Sequence, residues 1–241
     1  MKVAIMQPYF LPYLGYFQLI AAVDKFVLLD DVNYINRGWI NRNQISLLGQ
    51  PIWLTLPLSA ASQNRLIRDI DIFADDGWQD RHAKLVSQAF GKAPHGPAAI
   101  EMYRRWLGRA EGNLSVFLHA ALCDICCYLG IDTEIVPSSS IYAKDSLKAH
   151  HRILDICLRE GASQYINPPG GVELYDKDFF ARAGIELVFF KPELYSSTLH
   201  SGGRDGGVFS ILEMIAYNSR ALIQRCLQVN SAGSMRDNQI I

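Results

Sequence analysis

The chain has 241 residues, 49% hydrophobic and 20% charged, with a formal net charge of −1. That composition suits a globular fold with a sizeable core and excludes a disordered polymer. Near-neutrality excludes a molecule steered as a whole toward nucleic acid or an anionic membrane.

Lys2 to Met6 reads as a short buried strand. Gln7, Pro8 and Pro12 then break the apolar run, and no small-residue cleavage site follows, so no secretory signal is expected. Each proline fixes φ and lacks an N–H, which forbids regular structure around it. The stretch MQPYFLPYLGYFQLI is therefore an aromatic, proline-rich loop entering a helix over Leu14 to Val23, with Leu14, Phe17, Ile20 and Ala21 on one face. KFVLLDD supplies a second buried strand, Phe26 to Leu29, with carboxylates at its C-terminal end. Strand, loop, helix and strand fit in about thirty residues, the length of a right-handed βαβ unit.

NYINRGWINRN is polar and aromatic, and QISLLGQPIWLTLPL predicts a hairpin turning at Gly49-Gln50-Pro51. LIRDIDIF predicts a further strand. Helices are predicted over Trp78 to Phe90, Ala98 to Leu107 and Leu114 to Leu129, the last closed by Gly130. TEIVP is a strand followed by the polar loop SSSIYAKDS. Leu147 to Arg159 is a helix closed by Gly161, and QYIN is a strand ending in PPGG. Glu173 to Ala181 is a helix closed by Gly184, and IELVFF is a strand. The glycine-rich HSGGRDGG is read as a mobile lid or a linker before a last helix, Val208 to Tyr217. Residues 228–241 lack periodicity and are expected to form a flexible tail.

This rhythm predicts an α/β fold in one domain over residues 1–227: a Rossmann-like parallel sheet of about five strands with helices on both faces. The hairpin and helices at about 35–130 are an insertion, expected to cap the strand ends. No run reaches the ~18 apolar residues of a membrane span. The five cysteines, an odd number without a disulfide framework, suit a reducing cytoplasm.

Ligands of open α/β sheets bind beyond the carboxyl ends of the strands. Gln7, Tyr9, Tyr13 and Gly15 follow the first strand; Asp30, Asp31, Arg37 and Arg42 follow the second. Ser139 and Lys148 follow the third, and Asn167, Gly170 and Gly171 the fourth. Glycine at a helix N-terminus lets backbone N–H groups approach a phosphate, and arginines add bidentate anion contacts. Asp30 or Asp31 would hold Mg²⁺ or a substrate amine or hydroxyl, with Arg42 and His200 as the other candidates for chemistry. Singly, each residue has an ordinary structural reading; their convergence on one edge points to a site. Tyr34 and Trp39, interleaved with Arg37 and Arg42, suit a sugar ring better than a nucleic acid, because no longer basic stripe accompanies them.

Cys123, Cys126 and Cys127 share a helix with His119, but one helix cannot wrap a tetrahedral metal, so an inert packed face is expected. His150 and His151 are adjacent, so one must face outward, where it can act as a base near neutrality. His82 and His95 read as surface residues.

MQPYFLPYLGYFQLI, DKFVLLDDVNYINRGWINRNQI, LTLPL and ASQYINPPGGVELYD together resemble the WbqC-like protein family of bacteria, over most of the chain. The resemblance implies an association with surface-polysaccharide (O-antigen) biosynthesis and fixes no reaction. A weaker resemblance is to the HIGH-motif nucleotidyltransferases. There Tyr13-Leu14-Gly15-Tyr16 stands where the family has His-x-Gly-His. The glycine matches, but both histidines are tyrosines, neutral at pH 7 with a reference pKa of about 10. AKDSLK, with Lys144 and Lys148, is a poor match to the family's lysine loop. These departures bear on adenylylation chemistry and leave the fold alone.

Three functions stand as expectations. The first is a transferase or ligase using ATP or a sugar nucleotide with Mg²⁺. The second is an acyl or aminoacyl transferase acting on an amino sugar without ATP. The third is a non-catalytic sugar-nucleotide-binding protein. The expected partner is a small molecule, a sugar nucleotide or an amino acid, with no nucleic acid and no membrane span.

Overall fold

In a computed structural model of the protein, the residues described are 1–73, 77–110, 112–142, 147, 149–171, 173–192, 199 and 209–227. The chain opens with β1 (Lys2–Met6), α1 (Leu14–Ala21) and β2 (Lys25–Leu28). Two small antiparallel pairs follow: β3 (Arg42–Leu47) with β4 (Gln50–Thr55), and β5 (Leu58–Ser59) with β6 (Asp71–Ile72). Helices α2 (Trp78–Phe90), α3 (Gly96–Leu107) and α4 (Leu114–Leu129) lead to β7 (Glu134–Val136). Then come α5 (Ala149–Arg159), β8 (Gln164–Asn167), α6 (Lys177–Ala181) and β9 (Glu186–Phe189). Helices α7 (Ile211–Tyr217) and α8 (Arg220–Leu227) finish the described chain.

Five strands form one parallel sheet in the order β7-β2-β1-β8-β9. From β1 the chain builds outward through β2 to β7, then returns to the other side of β1 for β8 and β9. The order therefore reverses between β1 and β8. Side chains alternate across the strands because the pleat has a period of two. Ala4, Phe26, Leu28 and Ile166 join a core with α1 and α4, whereas Val3, Ile5, Val27 and Tyr165 join a second core with α5 and α6. The fold is thus a doubly wound α/β sheet with helices on both faces.

Helix α1 is buried from Leu14 through Ile20, not along one stripe, because α8 covers its outer side. Its Gln18 Nε2 donates to Cys226 O across that contact at 2.8 Å. Ala21, expected on the apolar face, is exposed. The boundaries of α4 follow from its caps. The Asn113 side chain accepts from the N–H groups of Ser115 and Val116, and Gly130 takes φ +70° at the C-terminal end.

The inserted helices belong to the same hydrophobic core as α1. Helix α4 lines the sheet: Ser115 at its start touches Asp30 beyond β2, and Thr133 past its end donates to Ile20 O at 2.8 Å. Helices α2 and α3 pack on each other, α3 on α7 and α2 on β3, while Phe10 of the first loop meets Tyr103 of α3 at 6.4 Å between rings.

Several local expectations need correction. The hairpin turns on Leu48 and Gly49, at φ +52° and +77°, and Gln50 and Pro51 already lie in β4. Two consecutive left-handed residues are what a two-residue hairpin loop demands. LIRDIDIF yields a 3-10 turn and the two-residue β6. Helix α6 starts only at Lys177, where the Asp176 carboxylate accepts from Asp178 N. The proposed tail and the HSGGRDGG loop lie outside the described residues.

His82 is no surface residue. It is half-buried, its Nδ1 lies 2.7 Å from Tyr103 Oη, and its ring meets Trp78 edge-on. Burial first, and the Arg81 charge second, hold its pKa down at about 4. A histidine depressed in the folded state binds its proton more readily when unfolded, so its stabilising contribution is full above about 6.5 and is lost as pH falls toward 4. His82→Phe is therefore expected to flatten the melting temperature across that window. An unchanged pH slope in the variant would show that other groups set it.

Candidate functional site

All five parallel strands present their carboxyl ends to one edge, so their loops assemble there. The first loop, residues 7–13, is tightly braced. Tyr16 Oη donates to Gln7 O at 2.8 Å and Phe10 N–H to Trp39 O at 2.9 Å. Asn43 Nδ2 donates to Phe10 O at 3.2 Å and Leu11 O at 2.6 Å. Ile211 N–H donates to Pro12 O at 3.0 Å. These bonds hold Leu11 at φ +49°, a left-handed conformation that costs a non-glycine residue about 1–3 kcal/mol. The aromatic, proline-rich loop is a rigid wall built around a strained turn.

Tyr9 and Tyr13 are half-buried on that wall. Burial, with Tyr13 as a second cause, pushes the Tyr9 phenol up, and burial alone raises Tyr13. Both therefore stay neutral and keep a hydroxyl to donate. Tyr16 stands where the nucleotidyltransferase motif has its second histidine, but it is buried and its hydroxyl is engaged by Gln7. Gly15 has a packing reason to be glycine: an added Cβ would lie 2.4 Å from the Tyr13 ring and 2.7 Å from Pro192 Cβ. In this structure that close approach accounts for the glycine.

Beyond β2 lies a buried polar cluster. Asp30 and Asp31 are each only 1% exposed. Asp30 accepts from Ser115 Oγ at 2.7 Å, Ser138 Oγ at 2.6 Å and Ser139 Oγ at 3.4 Å. Asp31 accepts from Ser139 Oγ at 2.6 Å and pairs with Arg152 at 3.0 Å. Arg152 also donates to Ser139 O at 2.8 Å and Tyr142 O at 3.0 Å. The strand ends of β2 and β7 and the helix α5 are tied together through this one cluster.

On the far side of the reversal, Asn167 closes β8 and is buried. Tyr165 Oη donates to its Oδ1 at 3.1 Å. The Asn167 amide lies against Gly171, where a Cβ would come within 1.7 Å of Nδ2. Gly170 is exposed, with nothing within 4 Å of such a Cβ.

The structure thus gathers Gln7, Tyr9, Tyr13, Asp30, Asp31, Ser139, Asn167, Gly170 and Gly171 at one edge. Arg37 and Arg42 make other contacts. Arg37 is exposed at φ +60°, and Arg42 donates to the carbonyls of Arg37 and Gly38 while its guanidinium lies 4.3 Å over Trp53. Tyr34 is buried and donates to Asn41 Oδ1 at 2.7 Å, so it offers no stacking face. Lys148 and His200 lie outside the described residues. The His150 and His151 rings lie 4.2 Å apart, tilted by 37°, and both meet Phe179, with His151 the exposed one.

Sequence reasoning missed Arg152 and Ser115. Arg152 shares a helical stripe with the buried Ile153, Ile156 and Cys157. A charge on an apolar stripe at that spacing was the available signal. Cys123 Sγ lies 3.3 Å from His119 Nε2. Among the described residues no group of three His, Cys, Asp or Glu side chains comes together as a metal site, and no helix is long and apolar enough to cross a membrane.

Comparison with known proteins adds lineage. A sequence model of the WbqC-like protein family matches residues 7–224. The chain is 30% identical over 216 residues to "Uncharacterized protein Rv1507c" of Mycobacterium tuberculosis, covering 89% of this chain and 92% of that protein. No solved structure matches.

Proposed function

This chain belongs to the WbqC-like protein family, and from that premise we propose that it is a transferase or ligase of bacterial surface-polysaccharide biosynthesis. It binds a nucleotide or sugar nucleotide at the strand-end edge. The observation that carries this reading is the reversal of strand order between β1 and β8. A crevice at such a reversal is where doubly wound sheets take their ligands. Gln7, Tyr9 and Tyr13 wall it on one side and the Asn167–Gly171 turn on the other. The neutral tyrosines donate hydrogen bonds to the ligand, while Asp30 and Asp31, buried and bonded to Ser115, Ser138, Ser139 and Arg152, act as positioning residues that hold the loops after β2 and β7. Catalysis of this kind is positioning plus charge stabilisation.

A second reading, acyl or aminoacyl transfer to an amino sugar without ATP, is favoured by two contacts. The Tyr16 hydroxyl and the Gly15 approach, which a nucleotidyltransferase would direct at phosphate, are taken by Gln7 and Pro192.

A thermal-shift screen of ATP, CTP, UDP- and dTDP-sugars, coenzyme A and amino acids, with and without Mg²⁺, separates these. Ligand at a hundred times its Kd adds about 2.7 kcal/mol of stability. A shift with ATP or a sugar nucleotide is expected, weakened in Gln7→Ala at an unchanged apo melting temperature. A response to coenzyme A or amino acids alone moves the assignment to the second reading. Silence from every nucleotide removes the first.

A further inference from the structure

Of the four tryptophans, Trp78 and Trp106 are buried at 2% exposure, whereas Trp39 is 48% exposed and Trp53 43%. The exposed two are neighbours, with ring centroids 5.8 Å apart and planes tilted by 35°. We propose that Trp39, Trp53 and the outer face of the β3–β4 hairpin form a shelf that binds the pyranose rings of a neutral oligosaccharide, outside the strand-end crevice.

The register of the hairpin says what surrounds the indoles. Trp53 lies directly opposite Gln44, and Thr55 opposite Arg42. Directly paired residues share a face, so Arg42, Gln44, Trp53 and Thr55 project together, while Ile45 and Leu54 point into the core. Arg42 sits 4.3 Å over the Trp53 ring and is itself held by the carbonyls of Arg37 and Gly38. Trp39 is fixed from behind, since its carbonyl accepts from Phe10 N–H. Two indoles held this way offer rigid contact area at low entropic cost.

A pyranose has an apolar C–H face and a rim of hydroxyls. The exposed Trp39 indole and the side of Trp53 that Arg42 does not cover match the first, and the Gln44 amide and Thr55 hydroxyl match the second. The polar flank disfavours a dry protein contact, whose core is depleted of charge. Nucleic acid would call on several free cationic donors, whereas here the Arg42 guanidinium is directed at backbone carbonyls and the 34–44 segment adds only the exposed Arg37, in a chain of net charge −1. The proposal does not rest on the nucleotide reading of the crevice.

The test is saturation-transfer NMR on the full chain with maltohexaose, cellohexaose and chitohexaose as probes. Transfer to sugar ring protons is expected with at least one probe. Trp53→Ala and Trp39→Ala should each weaken that probe roughly tenfold or more, as truncated tryptophan anchors do. Trp53→Phe should retain part of the affinity. Both alanine variants should keep the parent's cooperative melting transition, as exposed substitutions do. Saturating UDP or ATP should leave the signal in place. Absence of transfer from all three probes, or full binding by the double alanine variant, overturns the proposal. Displacement by nucleotide would move the sugar into the crevice and overturn the separate shelf. Self-association in sedimentation velocity that the double variant abolishes would make the shelf a dimer face instead.

Discussion

Arg152→Met is expected to lower the free energy of unfolding by about 3–5 kcal/mol, the usual cost of removing one partner of a buried ion pair. The side chains of Arg152 and Asp31 are only 3% and 2% exposed, at 3.0 Å from each other. Methionine fills much of the volume but leaves the Asp31 carboxylate buried without its cation. It also removes the donor to the carbonyls of Ser139 and Tyr142, which tie the loop after β7 to α5. Against a total stability of about 5–15 kcal/mol for a typical domain, the loss is large. Urea denaturation of the single variants and of Asp31→Asn/Arg152→Met measures it. The double variant should recover part of the loss, because the stranded charge is gone, and the coupling should exceed about 0.5 kcal/mol. Single and double losses that simply add would mean that the pair does not act as a unit.

Gly171→Ala is expected to abolish ligand binding at the crevice while costing about 1–3 kcal/mol of stability, as overpacking does. The new methyl would lie 1.7 Å from Asn167 Nδ2 and 3.0 Å from Tyr175 Cδ2. Asn167 is buried and receives the Tyr165 hydroxyl, so it must rotate away or the turn must move. Either response displaces the group that ends β8 at the reversal. Gly170→Ala is the matched control, since its position is exposed and its added carbon would meet nothing within 4 Å. Isothermal titration of both variants with whichever nucleotide gives the thermal shift decides the matter. Equal affinity in the two would show that the Asn167 side of the crevice carries no ligand.

Much of the sheet was legible because its signals are local. Lys2–Met6 and Gln164–Asn167 are apolar runs bounded by proline or polar residues, and they are strands at those limits. Trp78–Phe90 and Leu114–Leu129 announce themselves by a helical period and, for the latter, by Asn113 and Gly130 at its ends. Where the local signal is ambiguous, the structure differs from it. Glycine and proline, the usual markers, point to a turn at Gly49-Gln50-Pro51, yet Leu48 accepts φ +52° and shifts the turn back. Helix α8 escapes the sequence reading because its eight residues follow α7 after a break of only two, even though Ser219 Oγ caps it by accepting from Leu222 N–H.

By itself the sequence determined which residues stand at the strand ends: Gln7, Asp30, Ser139 and Asn167 follow apolar runs whatever the strand order. Tertiary structure decided what each of them does there. It set the order β7-β2-β1-β8-β9, and with it the place of the reversal. It gave Asp31 a cation 121 positions away, turned Tyr16 inward onto Gln7, and put Arg42 over Trp53 rather than beside the carboxylates. The physical reason is that helix and strand periods are properties of neighbouring residues, whereas a buried polar group takes whichever partner the closed fold brings within hydrogen-bonding reach.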